Sequence, residues 1–397
     1  MAVAKPTTSQ ATREALIDAL LADQEALIAR VAAGIREALP AYRDVPPEAL
    51  EPGFRAEVER VLRSARAGDA AVGATEFAEL AAVGELRAHQ GIPIEDMLRA
   101  WRIGVQVIIA HSRELGERTG VGSDELLTFV NSMLEWSDVG MVTTATAHRG
   151  AELELTRQDH EHRTNLVRGV LFGTMVPADV RMQAEAHAID AGREYVAIRA
   201  RPAAGATHHD LERALGFQAA RQHRRGLSAL VDRDLAGFLS EPPAGEPPGV
   251  VGVGPPRPLD RLAESFRLAT RALVTASAFD LSGIHTISTL GLRPAIVEDR
   301  DLGEALCQRY LEPLAATSSA AEVTLSLRAY LESGMRVDRA AEQLFVHPNT
   351  LRYRLGRFEE LTGASLRDPR VALEVWWALE RSAVLDRAAL ENPPKPA

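Results

Sequence analysis

The chain has 397 residues, enough for two or three domains, and its 46% hydrophobic and 25% charged residues are ordinary for soluble globular protein. A net charge of −10 excludes a chain that coats nucleic acid indiscriminately, but it allows a basic surface confined to one small domain. The single cysteine, Cys307, excludes an intrachain disulfide framework and points to a reducing compartment. It falls in a predicted helix over residues 302–310, where it reads as a small core residue. The opening MAVAKPTTSQ lacks the apolar centre of a signal peptide. The longest apolar stretch, residues 103–110, is interrupted by Gln106 and is too short to span a bilayer. A cytoplasmic location without membrane association is expected.

Residues 12–171 read as helical, rich in Ala, Leu, Glu and Arg, with no strand-like alternation. Breaks are expected at Pro40, at Pro46-Pro47, at Gly68, at Gly91-Ile92-Pro93 and at Gly120-Val121-Gly122. Residues 124–172 form one or two long helices. Their centre, AELELTRQDHEHRTN (residues 151–165), is too hydrophilic for a monomer core and reads either as a signalling or dimerisation helix or as a solvated surface helix. It leads into Leu166, Val167, Val170 and Leu171.

The texture changes at Arg193. Residues 195–200, 227–231 and 249–253 are strand-like, with a helix over 211–221 between the first two. Residues 259–276 make a second helix, with Leu262, Phe266, Ala269 and Leu273 on one stripe. Strands alternating with helices predict a small α/β domain. The segment 241–258 contains seven prolines, so loops flank its one short strand.

The most informative segment is VDRAAEQLFVHPNTLRYRLGRFEEL, residues 337–361. A first helix over 337–344 carries Ala340, Ala341 and Leu344 on an apolar stripe. Phe345, Val346 and His347 connect it to a second helix in which Pro348 takes the first position, where no helical hydrogen bond is lost. Leu351, Leu355 and Phe358 recur at spacings of four and three and share an inward face. The opposite face presents Asn349, Tyr353 and Arg357, with Thr350 at its edge and Arg352 and Arg354 on the flanks. From Pro348 to Phe358 there are three arginines and no acid. This is the layout of a recognition helix, with a buried seam behind, hydrogen-bonding side chains in front and cations to meet phosphates. Gly356, mid-helix, costs about 1 kcal/mol relative to Ala. It reads either as a point of close approach to DNA or as merely tolerated. Asp368-Pro369 opens a last helix as N-cap and first turn, with Val371, Val375, Trp376 and Leu379 packing on the helix pair. The ending ENPPKPA is expected to be disordered.

Other constellations carry little chemistry. His160 and His162 lie two apart on a helix and do not share a face, so they are poorly placed to chelate one ion. His208-His209-Asp210 lies beside Gly205 in a predicted loop. His89 and His111 read as satisfied or exposed histidines rather than haem ligands. Gly252-Val253-Gly254 follows a strand, but Pro255-Pro256 blocks the helix start that a dinucleotide-binding turn needs. No enzyme activity, metal or cofactor is expected.

The blocks LRAYLESG (residues 327–334), AAEQLFVHPNTLRYRL (340–355) and LTGASLRDPRVALEVWWAL (361–379) closely resemble, in order and spacing, the C-terminal helix-turn-helix of PucR/CdaR-type bacterial transcription regulators. Pro348 departs from that pattern, standing where a basic residue is expected. HQGIPIEDMLRAWRIG (residues 89–104) resembles the N-terminal helical domain of RsbR-type stress regulators, and the α/β segment resembles the family's degenerate GGDEF-like domain. No GGDEF sequence occurs, so diguanylate cyclase activity is expected to be absent. The resemblance implies a multidomain chain. An all-α sensor or signalling domain would span residues 1–172, a GGDEF-like α/β domain 173–314 and an all-α helix-turn-helix domain 315–397, with ATSSAA (316–321) as a hinge. It further implies a sequence-specific, double-stranded-DNA-binding regulator, dimeric or of higher even order, under control of a small-molecule effector or partner. Asn349, Thr350, Tyr353 and Arg357 are expected to read base edges and Arg352 to contact phosphate. Arg354 is expected either to contact phosphate or to pair with an acid at the domain seam. The rival reading is a signalling scaffold whose C-terminal module no longer binds DNA.

Overall fold

The computed structural model describes residues 8–67, 73–217 and 225–391. The chain divides into two compact units, Met1–His160 and Glu161–Ala397. It is multidomain: helical at first, with a small mixed sheet in the middle and a helical C-terminal region.

The first unit is built from α1 (Thr8–Ala22), α2 (Gln24–Ala38), α3 (Pro47–Ala67), α4 (Ala74–His89), α5 (Ile94–Thr119) and most of α6 (Ser123–Phe172). Helix ends fall at the Pro40, Pro46-Pro47, Gly91-Ile92-Pro93 and Gly120-Val121-Gly122 breaks, while Pro52 is carried inside α3 and the expected Gly68 break lies outside the described residues. Gly120, left-handed at φ 72°, closes α5. The break at Asp23 has no such marker and was not legible. Leu27, Val31 and Ile35 of α2 pack against α3 and α5, with Phe129, Met133 and Trp136 of α6 completing the core. His111 is buried, with Asp23 Oδ2 2.9 Å from its Nε2 and Arg30 Nη1 2.8 Å from its Nδ1. Residues 124–172 lie in one helix, and most of its polar centre is exposed.

In the second unit the end of α6 buries Leu166, Val167, Val170 and Leu171 with Val180 and Ala184 of α7 (Pro177–Ala186). The sheet comprises β1 (Glu194–Pro202), β2 (Gly226–Val231), β3 (Asp234–Leu239), β4 (Gly249–Val253), β5 (Arg257–Pro258) and β6 (Gly283–His285). Its order is β2-β3-β1-β4-β6, with β5 pairing β1; β4 and β6 are parallel and the other pairs antiparallel. α8 (His208–Ala214) follows β1, and α9 (Leu262–Ala278) covers β1 and β4 through Leu262, Phe266, Ala269 and Leu273.

Two expectations for this region change, and β3 was not among the expected strands. The helix expected over 211–221 runs from His208 to Ala214, and residues 218–221 lie outside the described ones. His208-His209-Asp210 is its first turn, not loop, because Thr207 and Asp210 form a reciprocal capping box. β3 was unread: DLAGFL holds an acid and a glycine, yet every residue is buried, and Arg199 and Arg201 satisfy Asp234 at 2.8 and 2.9 Å. Asp232 and Arg233, both at positive φ, make the two-residue hairpin turn without the Asn-Gly or Asp-Gly signal that marks such turns. The glycines around Val253 serve packing. A Cβ on Gly252 would lie 2.0 Å from the Ala269 carbonyl oxygen, and one on Gly254 2.1 Å from that of Ser265.

Beyond the sheet come α10 (Ile287–Leu290), α11 (Arg293–Glu298), α12 (Arg300–Tyr310), α13 (Glu312–Ala315), α14 (Ala320–Glu332), α15 (Val337–Gln343), α16 (Pro348–Thr362) and α17 (Pro369–Glu391). Leu306, Tyr310 and Leu314 pack with α14, α16 and α17 in one core. Of the expected hinge over 316–321, residues 316–319 form a turn between elements that share that core, tied by the Thr317 hydroxyl donating to the Leu314 carbonyl at 2.7 Å. Cys307 is half-buried in the same core, and burial pushes its thiol pKa up. Of ENPPKPA, expected to be disordered, Glu391 ends α17 and residues 392–397 lie outside the described residues.

Candidate nucleic-acid interface

α15 ends in two bonds, Val346 N–H to the Ala341 carbonyl (2.9 Å) and Phe345 N–H to that of Glu342 (3.1 Å). This is the paired closure of a helix whose next residue is left-handed. Phe345 fills that place at φ 55°, and its side chain is 97% exposed. Glycine is the usual occupant, and a side chain there costs roughly 1–2 kcal/mol. The connection falls where the sequence places it, but nothing in the sequence marks the left-handed residue. Val346 folds back onto the core, and His347, extended as a residue before proline must be, caps α16 by accepting the Asn349 N–H on Nδ1 at 3.2 Å. Gly363, left-handed at φ 67°, closes α16.

The seam forms as expected. Leu351 and Phe358 are fully buried and Leu355 nearly so, alongside Ala340 and Ala341 of α15. From α17, Val375 and Leu379 are buried and Val371 and Trp377 pack against this core; Trp376 is half-buried and not part of it. Asp368 caps α17 by accepting the Arg370 N–H at 2.9 Å. Tyr310 lies 6.3 Å from the Phe358 ring and donates its hydroxyl to Glu374; burial and that carboxylate push its pKa up to about 12.

The outward face of α16 is open. Asn349, Thr350, Arg352 and Tyr353 are exposed, and Arg357 is partly so. Arg352 donates to Asn349 Oδ1 at 2.9 Å and lies 3.9 Å from Asp338 of α15. Arg357 pairs with Glu360 at 3.0 Å. Exposed pairs of this kind exchange partners at little cost. Arg354 differs: its side chain is 19% exposed and is paired with Glu322 of α14. Gly356 has nothing within 4 Å of where a Cβ would stand, so no packing contact requires glycine. Gly356→Ala is expected to stabilise the domain by about 1 kcal/mol. Urea unfolding would show it, and a destabilised variant would contradict the open space.

Residues 324–380 match the PucR C-terminal helix-turn-helix domain, taking in the three blocks and this open face. The C-terminal domain is a PucR-type helix-turn-helix. Residues 25–163 match the N-terminal domain of the RsbT co-antagonist protein RsbRD. An uncharacterised Mycobacterium tuberculosis protein is 29% identical over 273 residues, 63% of this chain and 65% of its own length. The chain thus spans less than two thirds of that relative. The purine catabolism regulatory protein of Bacillus subtilis is 38% identical over 60 residues, 15% of this chain and 11% of its own. The proline-responsive transcriptional activator PutR of the same organism is 38% identical over 58 residues, 15% of this chain and 14% of its own. No described helix is long and apolar enough to cross a membrane.

Proposed function

We propose that this PucR-type chain is a transcription regulator that binds double-stranded promoter DNA through α16 and is controlled by an effector through its preceding domains. The observation that carries the reading is the face of α16, where Asn349, Thr350, Arg352 and Tyr353 stand exposed over a seam of Leu351, Leu355 and Phe358. Asn349, Thr350, Tyr353 and Arg357 read base edges; Arg352 meets phosphate once it leaves Asn349. Arg354 holds the helix on α14 instead. The regulators named among the relatives support the same role.

The chain acts as a dimer or a higher even oligomer, since paired helix-turn-helix units read half-sites about 34 Å apart. Leu127, Leu134, Val142 and Leu153 support this: they are 47–73% exposed and fall within one arc of α6. The α/β domain is GGDEF-like in ancestry and non-enzymatic, and the protein works in the cytoplasm. The match to the RsbT co-antagonist domain and the same apolar arc of α6 favour a second reading, a scaffold that acts through protein contacts.

A salt-titrated binding assay of the full chain on its own upstream region against scrambled DNA separates the two. Preference for the upstream region supports the regulator; none at any salt, with the protein folded, leaves a missing effector or the scaffold, which partner pull-downs with the N-terminal domain separate. In the same assay Arg352→Ala is expected to weaken binding to all sequences alike and to flatten the salt slope by about one. A loss confined to the specific site would contradict the phosphate role.

A further inference from the structure

A pocket in the first unit lies between α2, α3, α4, α5 and α6, walled by Tyr42, Phe54, Val58, Ala100, Trp101 and Trp136. About 50 Å³ of it is free to the centre of a water molecule. That is room for roughly four waters or an organic molecule of a few heavy atoms. Into this apolar space faces Arg87 of α4, only 2% exposed. Its Nη1 donates to Gln90 Oε1 at 2.8 Å, while Nη2 has no acceptor among the described residues. Its guanidinium carbon lies 5.8 Å from the centre of the Tyr42 ring and 5.4 Å from that of Phe54. Gly53 leaves the space that Nη2 occupies, since a Cβ there would come within 2.8 Å of it. Glu57 also lines the pocket, its carboxyl pKa pushed up by burial against the pull of Arg87 and Arg60, but among the described residues no carboxylate stands within 4.0 Å of Arg87.

A buried cation with no carboxylate in contact is costly, and contact with two ring faces returns only part of that cost. An anion on Nη2 would return the rest. With one free donor group and mostly apolar walls, the pocket suits a carboxylate with a short hydrocarbon body better than phosphate, whose several charged oxygens would go unpaired.

We infer that the N-terminal unit binds a small aliphatic monocarboxylate, its carboxylate on Nη2 of Arg87 and its body against Tyr42, Phe54 and Ala100. The inference deepens the proposed effector control and rests on that reading for its consequence at DNA, not for the binding itself.

The test uses the full chain with acetate, propionate and butyrate as probes, against sodium chloride and inorganic phosphate at matched ionic strength, read by thermal unfolding and calorimetry. At least one carboxylate is expected to bind and raise the unfolding temperature, with chloride and phosphate doing neither. Ala100→Leu keeps Arg87 and fills the pocket; it is expected to remain folded and to lose affinity at least about tenfold. Arg87→Met, if it folds, is expected to lose the response altogether. No response to any carboxylate, an equal response to chloride or phosphate, or undiminished binding by folded Ala100→Leu would overturn the site. Carboxylate binding that leaves DNA affinity unchanged would support the site and count against effector control alone.

Discussion

Replacing Asn349 and Arg357 together with alanine is expected to abolish the preference for the protein's own upstream DNA while leaving the fold and the weak, salt-sensitive binding to any sequence in place. Neither side chain belongs to the seam: Asn349 is exposed and engaged only locally, by Arg352 and by its backbone bond to His347, and Arg357 pairs with a neighbour on its own helix. Each base-edge pair is worth roughly 1–3 kcal/mol of discrimination, so losing both costs on the order of 2–6 kcal/mol per half-site if the two act independently. The measurement is the ratio of affinities for upstream and scrambled DNA at several salt concentrations, with circular dichroism to confirm the fold. A ratio unchanged from wild type would remove both residues from base readout.

Phe358→Ala is expected to destroy the same activity by the opposite route. Phe358 is fully buried where α16 meets α12, with its ring tilted against Tyr310, and it stands behind the outward face rather than on it. Truncating a buried phenylalanine costs about 3–5 kcal/mol, a large share of the stability of a small domain. Urea unfolding should show the C-terminal transition moved to much lower denaturant, and DNA binding should fail for every sequence. A shift below about 1 kcal/mol would mean the core collapses around the gap and the seam matters less than its burial implies. Together the two variants separate recognition from folding, since only the first should leave a folded protein that has lost its sequence preference.

The recognition segment was legible because its determinants are local. Leu351, Leu355 and Phe358 share a face by helical period alone, and Pro348 marks the helix start. Arg354 was not settled that way. It lies on the flank of the same helix as Arg352, and period gives both the same standing; what sets it apart is Glu322, thirty-two residues earlier on another helix. The connection at Phe345 was legible but its left-handed conformation was not, because an exposed aromatic there contradicts local preference and persists only where the surrounding fold holds it.

The sequence by itself determined the order of helical, mixed and helical regions, most helix ends, and which face of α16 turns inward. All of these follow from hydrophobic period and from the backbone limits of proline and glycine, which act over a few residues. Tertiary structure alone decided that β3 is a buried strand, that α12 and α13 join the C-terminal core, and that Arg354 pairs with Glu322. It also decided that Arg87 faces an apolar pocket with a free Nη2. Each of these depends on a partner brought from a distant part of the chain, and such a meeting leaves no periodic trace in the residues on either side.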